Sequence, residues 1–349
     1  MGPEFATGCA RAQRPACSVN TYERDGAMKD FTGKIAVVTG GGTGMGRELV
    51  IQLATNGCHV AMCDVSSDAM AETTGLALLH APVGTRVTSF VADVSDPAKL
   101  AAFRDDTASS HRTEHINLLF NNAGIGGGGS MIVDDPEEWE KVFNVCWGGV
   151  YHGTRAFLPL LFNATEGHVV NTSSVNGFWA SLGSRSPHTA YSAAKFAVKG
   201  FSEALIADFR VNAPHLQVSV VMPGHIGTSI VFNSGQAFGR NPKELNEAHL
   251  VELRGRLARQ GIDTSGASDE DIRAIIVHRA ESFRDDAPTS ASEAATIILD
   301  GVRANRWRIL VGDDAHTLDE MVRADPESAY TPEFDDRLTE KGVFGFTRR

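Results

Sequence analysis

The stretch that most restricts this chain is a strand that runs into glycine and out into a helix. Ile35-Ala36-Val37-Val38 has the unbroken apolar character of a strand buried on both faces. Thr39-Gly40-Gly41-Gly42-Thr43-Gly44-Met45-Gly46 follows at once, and Leu49, Val50 and Leu53 then recur at helical spacing. Glycine permits the tight turn. Without side chains, backbone N–H groups at the helix N-terminus can approach an anion that the helix dipole also favours. Gly40, Thr43, Gly44, Met45 and Gly46 are therefore candidates to hold the pyrophosphate of a dinucleotide. A P-loop is excluded, because Arg47-Glu48 stands where Lys and Ser or Thr are required.

The acid that follows sharpens this. Asp64 closes the next apolar run, at 59–63, about 20 residues beyond Gly44, where a carboxylate can accept both hydroxyls of an adenosine ribose. The same charge repels a 2′-phosphate, and neither Thr43 nor Val65 brings a cation to offset it. NAD is expected over NADP. An Asp that only caps the next helix is the alternative.

Further apolar runs lie at 87–91, 116–120, 168–170, 218–222 and 308–311, spaced by helical patterns. Crossovers of that length join parallel strands, whose sheet needs cover on both faces. The expected fold is therefore α/β, a doubly wound parallel sheet of the Rossmann type, as a single domain over 30–312. A helical insertion at 229–289 interrupts the rhythm, with Leu245, Leu250, Leu253 and Leu257 in one pattern and Ile272, Ile275, Ile276 and Phe283 in a second. Placed after a strand's carboxyl end, it reads as a substrate lid. Ser290 and Glu293 form a capping box that restarts the main rhythm. Residues 1–29 show no periodicity and are read as a disordered or vector-derived tail. The weakly periodic 313–349 reads as an extension that wraps the surface or a partner subunit.

Composition narrows the function classes. With 32 basic against 43 acidic residues the net charge is −11, so no basic field exists to hold nucleic acid. No apolar run approaches the roughly 18 residues of a membrane helix. Five cysteines, an odd number without a CxxC pair, imply reduced thiols in a cytoplasm. His111-Arg112-Thr113-Glu114-His115 matches H-x-x-E-H, but it sits at a crossover with no obvious third ligand, so no metal is expected.

Tyr191-Ser192-Ala193-Ala194-Lys195 opens a helical pattern and puts Tyr191 and Lys195 on one face. A phenol titrates near pH 10, too high for a good base at neutrality, and an ammonium fixed beside it is expected to pull that value down. Together with Asp93-Val94, Asn121-Asn122-Ala123-Gly124, Asn144, Asn171-Thr172-Ser173-Ser174 and Pro223-Gly224-His225-Ile226-Gly227-Thr228, the chain from about 31 to 312 resembles the short-chain dehydrogenase/reductases, in the branch with a T-G-x3-G-x-G turn. That resemblance implies roles. Tyr191 would exchange a proton with the substrate oxygen, Lys195 would hold the nicotinamide ribose, Ser174 would orient the substrate, and Asn144 would position a relay water. Asp93 and Val94 would flank adenine. Asn121, Ala123, Gly124, Pro223 and Gly224 would line the cofactor cleft, and Ile226 and Thr228 would anchor the carboxamide. A homodimer or homotetramer through the helices after Asn144 and Tyr191 is implied as well.

Alternatives stay open at some positions. Ser173 could face the substrate in place of Ser174, because side chains alternate along a strand. Asn144 could be a packing amide, and Asn121 and Asn122 simple turn formers. Sixteen residues separate Ser174 from Tyr191, several more than the family usually shows, with the excess at 183–189. That loop could bring Arg185 or His188 to the pocket or lie in solvent. Phe178, Trp179, Phe232 and Phe238 could shape a pocket for a bulky alcohol or simply pack the lid. The expected activity is NAD-dependent interconversion of a secondary alcohol and a ketone, with a small-molecule substrate as partner. A non-catalytic NAD(H)-binding sensor or scaffold on the same fold is the alternative from another class.

Overall fold

The computed structural model describes residues 28–183, 186–241, 245–259 and 261–343. Its first strand shows why the sheet needs two covers. Ile35–Thr39 (β1) is buried at every position. Alternation sends Ala36 and Val38 into one apolar cluster and Ile35 and Val37 into the other. Around it stand His59–Asp64 (β2), Val87–Val91 (β3), Leu118–Asn121 (β4), Gly167–Thr172 (β5) and Leu216–Pro223 (β6). A two-residue pair, Ile226–Gly227 (β7) and Thr289–Ser290 (β8), lies apart, and Arg308–Val311 (β9) completes the main sheet.

The seven-stranded sheet has the order β3-β2-β1-β4-β5-β6-β9 and is parallel throughout, with Val37 between Ala61 and Leu119. Chain direction across the sheet reverses between β1 and β4. In open α/β sheets that switch point leaves a crevice at the carboxyl ends of the strands.

The helices are Gly44–Thr55 (α1), Ser67–His80 (α2), Pro97–His111 (α3), Pro136–Phe143 (α4), Gly149–Phe162 (α5), Thr189–Asn212 (α6), Ile230–Ala237 (α7), Glu247–Arg259 (α8), Asp269–Asp285 (α9), Ala291–Arg303 (α10), Asp313–Ala324 (α11) and Pro332–Glu340 (α12). Local chemistry explains several starts. Asp96 and Asp135 accept N–H bonds ahead of the prolines that open α3 and α4, and Ser290 with Glu293 forms the expected box on α10.

The structure adds to three sequence expectations. Met28, assigned to the tail, is buried with Phe31 in the core, because these side chains cover the end of β1 and α10; residues 1–27, with Cys9 and Cys17, lie outside the described residues. Among the described residues, the 229–289 insertion carries three helices, α7, α8 and α9, where the sequence showed two patterns. The weakly periodic C-terminus forms α11 and α12, which bury Ala315, Leu318, Phe334 and Leu338 against Val175 and Trp179.

Buried imidazoles make the fold acid-sensitive. His168 bonds Ser219 at 2.7 Å and His111 bonds Thr88 at 2.9 Å, and burial pushes both down to about pH 4. A histidine that titrates near 6.5 unfolded and 4 folded takes its proton more readily in the unfolded chain. Its stability contribution is therefore complete above about 6.5 and is lost as pH falls toward 4, on the order of 3 kcal/mol for His168. Unfolding midpoints followed by circular dichroism should fall across that window, and His168→Gln should flatten the decline. An equally steep acid limb in His168→Gln would contradict this account.

Candidate active site

At the head of the crevice, the turn between β1 and α1 is built on close contact. Gly40 has φ +67°, and a Cβ on Gly46 would stand 2.0 Å from the Gly40 carbonyl, so only glycine lets the helix start so near the strand. Thr43, the N-cap of α1, makes no side-chain cap bond. The first N–H groups of the helix are thus left to an external acceptor. Met45 packs against the core.

Asp64 closes β2 with its carboxylate held by two backbone donors, while Ser66 caps α2. One carboxylate oxygen accepts from the Gly42 N–H at 3.0 Å, and the other accepts from the Ser66 N–H at 3.1 Å, ahead of α2. Sequence reasoning missed a cation here. Arg47 Nε donates to the Gly42 carbonyl, and its guanidinium pairs with Glu72 at 2.7 Å. The distance in sequence between α1 and α2 hid that pairing.

The second glycine segment, after β4, is braced by side chains. Thr39 Oγ1 accepts from the Asn122 and Ala123 N–H groups, and Asn122 Nδ2 donates to the Thr39 carbonyl. Asn121 is different from the expectation. Its side chain turns into the protein, donating to Thr154 and to Asn171, and so serves the junction of β4, β5 and α5. Ile226 is likewise core by its side chain. Val94 is buried beside Gly149, while Asp93 is exposed and ties its own turn through Ser95. Thr228 stands over Gly44, and Gly224 gives way to Asp314, which accepts the His225 N–H.

The expected proton-transfer set converges from three elements. Ser174 follows β5; its hydroxyl accepts the Asn176 N–H at 3.1 Å and borders a cavity of about 360 Å³ together with Tyr191. Ser173 faces the other way and donates to the Lys195 carbonyl at 2.8 Å. Tyr191 and Lys195 share the first turns of α6, with the ammonium 5.3 Å from the phenol ring. Lys195 is buried and donates to the Thr172 carbonyl at 2.8 Å. Asn144 opens a π-helical turn, Asn144–Gly148, between α4 and α5 and is exposed.

Electrostatics at this pair correct a simple expectation. Burial pushes the Tyr191 phenol up, with nearby Cys146 acting the same way, and the Ser174 hydroxyl pulls it down by less. Burial pushes Lys195 below the usual ammonium range, against Cys146. Desolvation thus acts on the phenol in the direction opposite to the one expected from a neighbouring ammonium.

Helix α7 lies over this crevice. Asn233 donates to Thr43 Oγ1 at 2.9 Å, and the Gly126 N–H donates to Ser234 Oγ at 2.8 Å. At its carboxyl end Arg240 pairs with buried Glu138 at 2.7 Å, and Glu138 also accepts the Gly128 N–H. Sequence reasoning found none of these contacts. Of the aromatics flagged as pocket candidates, only Phe238 borders the cavity. Trp179 and Phe178 pack against α11 and α12, and Phe232 lies against Arg284. His188 does reach the cavity; Arg185 lies outside the described residues.

Sheet order, glycine turn and ribose-side acid together define a Rossmann-type nucleotide-binding fold. The model of the short chain dehydrogenase family matches residues 34–237, and the chain belongs to that short-chain dehydrogenase/reductase family of oxidoreductases. It is 32% identical over 296 residues, 85% of this chain and 92% of the relative, to the protein of Mycobacterium tuberculosis named oxidoreductase SadH. It is 33% identical to levodione reductase of Leifsonia aquatica, over 63% of this chain and 80% of the relative. Among solved structures, a short-chain dehydrogenase/reductase from Burkholderia phymatum in complex with NAD superposes with TM-score 0.68 at 27% identity, covering 87% of this chain and 98% of that one. A levodione reductase crystal structure gives TM-score 0.59 at 26% identity, covering 81% and 97%. A nicotinamide dinucleotide is the family's cofactor, and the residues here fit one. The α1 N-terminus lacks a side-chain cap, and Gly124 leaves space before Lys195 Nζ that a Cβ would enter to 3.5 Å. No helix among the described residues is long and apolar enough to cross a membrane.

Proposed function

We propose that this chain is an NAD-dependent oxidoreductase that interconverts a lipophilic secondary alcohol and its ketone. The observation that carries the reading is Tyr191, Ser174 and Lys195 gathered at the crevice between the sheet's two halves. When bound, the nicotinamide gives or takes the hydride. The chain's own groups do the rest. Tyr191 donates its phenolic proton to the ketone oxygen, or receives it back from the alcohol. Ser174 hydrogen-bonds the same oxygen and fixes its approach. Lys195 holds the nicotinamide ribose and, through its charge, stabilises the phenolate left behind. Asn144, exposed at the π-turn, positions water for proton exchange with Lys195.

Asp93 and Val94 flank the adenine; the backbones of Asn121, Ala123, Gly124, Pro223 and Gly224 line the cleft; those of Ile226 and Thr228 hold the carboxamide. Residues 229–289 act as the substrate lid. The pairing of α5 and α6 with a second copy, to give a homodimer or homotetramer, is supported by exposed Tyr151 and Phe196. Free, buried Cys58, Cys63 and Cys146 are consistent with a reducing cytoplasm.

Preference for NAD rests on Asp64 and on Arg47 already being paired with Glu72. NADH oxidation should be seen with members of a panel of lipophilic ketones, and KM should be at least ~10-fold lower for NADH than for NADPH, the ratio that about 1.4 kcal/mol supports. Asp64→Ala should narrow that ratio. NADH binding without redox change across the panel would favour the sensor reading, and equal KM values would reject NAD preference.

A further inference from the structure

The cavity beside Tyr191 holds a polar group that the proton transfer does not use. His188 stands three residues before Tyr191, in the longer connection that leads from Ser174 to α6, and its ring lies 4.7 Å from the Tyr191 ring at 34°. It borders the same cavity as Ser174 and Tyr191. As the N-cap of α6 it makes no side-chain cap bond, and its ring has no hydrogen bond to any described residue. Burial pushes its pKa down to about 4, so at neutral pH it is an uncharged imidazole with one N–H and one lone pair. Covering such a group with a purely apolar ligand costs about 1–3 kcal/mol. The cavity therefore discriminates in favour of a ligand that can bond it.

The rest of the wall says what kind of ligand that is. Val175, Ile230, Phe238, Leu253 and Phe283 make it mainly apolar. Its two guanidinium groups are already taken, Arg240 by Glu138 and Glu252, Arg256 by Glu252 and Asp134. A carboxylate or phosphate would have to break those pairs. The imidazole also lies along the flank of the phenol that meets the reacting oxygen. A hydrogen bond from this ring therefore falls close to the reacting carbon and not at the far end of a long molecule.

We propose that His188 is a substrate-binding residue that hydrogen-bonds a second oxygen next to the reacting carbon. The substrates are then uncharged, lipophilic α-hydroxy ketones, vicinal diones or the matching diols, preferred over simple ketones of the same skeleton. This deepens the oxidoreductase reading and rests on it.

Deoxybenzoin, benzoin and benzil share one carbon skeleton and differ at the second oxygen. With NADH, the native protein should reduce benzoin and benzil with higher kcat/KM than deoxybenzoin. His188→Phe keeps a stacked ring and removes both nitrogens. It should cut kcat/KM for benzoin and benzil about 10- to 100-fold, leave deoxybenzoin within about 3-fold, and leave the Kd for NADH unchanged. His188→Gln should recover part of the loss. Equal losses on all three compounds, or none, would overturn the proposal. Calorimetry with NAD-loaded protein, which cannot reduce a ketone, separates the two readings. Benzil binding that exceeds deoxybenzoin binding and depends on His188, together with no turnover of any of the three compounds in the NADH assays, overturns the oxidoreductase reading alone; equal binding of the two compounds overturns the role of His188.

Discussion

Tyr191→Phe is expected to lower kcat by at least ~100-fold, and by as much as ~10,000-fold, while NADH still binds. That is the range for losing a positioned general acid. The change removes one hydroxyl and keeps the ring among Val142, Cys146, Ala190 and Ala194, so the thermal midpoint should hardly move. Steady-state rates, NADH fluorescence titration and a thermal melt on one preparation check all three parts. Ser173→Ala offers a contrast, since that hydroxyl bonds the Lys195 carbonyl and faces away from the cavity. Activity that survives Tyr191→Phe would remove the phenol from the mechanism.

Phe334→Ala should lower unfolding free energy by about 3–5 kcal/mol, the usual result of emptying a buried aromatic site. Phe334 is fully buried on α12 and packs with Trp179, whose indole N–H donates to the Ala329 carbonyl at 2.7 Å. Trp179 lies five residues after Ser174, so the cavity left behind sits beneath the loop that carries the serine. Denaturant melts should show the loss, and kcat/KM should fall with it at temperatures where the variant is still folded. A loss below about 1 kcal/mol would mean that α11 and α12 are a detachable appendage and that their apolar contacts contribute little.

The sheet was legible because its strands are buried on both faces, and an unbroken apolar run such as Ile35 to Val38 has few other uses. The glycine turn and Asp64 were legible because steric and charge requirements there leave little choice of residue. What escaped was held together by polar contacts between distant segments. Helix α7 is eight residues long and contains Asn233, Ser234 and Gly235, so it shows no apolar stripe, yet it sits by hydrogen bonds to Thr43 and Gly126. The stripe of α11 is broken by Asp319, a carboxylate paired with Arg308 and Arg323. The inward turn of Asn121 could not be read either, since an amide at a strand end suits a turn, a ligand or a core equally well. The choice of Ser174 over Ser173 rested on resemblance in the sequence, and the structure adds that Ser173 bonds the Lys195 carbonyl while Ser174 borders the cavity.

Helix α7 bridges the two glycine segments, and that has a kinetic meaning. Two hydrogen bonds hold α7 across the space between Thr43 and Gly126, so a dinucleotide lodged there is expected to leave only when they break. Dissociation of a bound dinucleotide should then slow as solvent viscosity rises. Binding should be ordered, with the dinucleotide first in and last out.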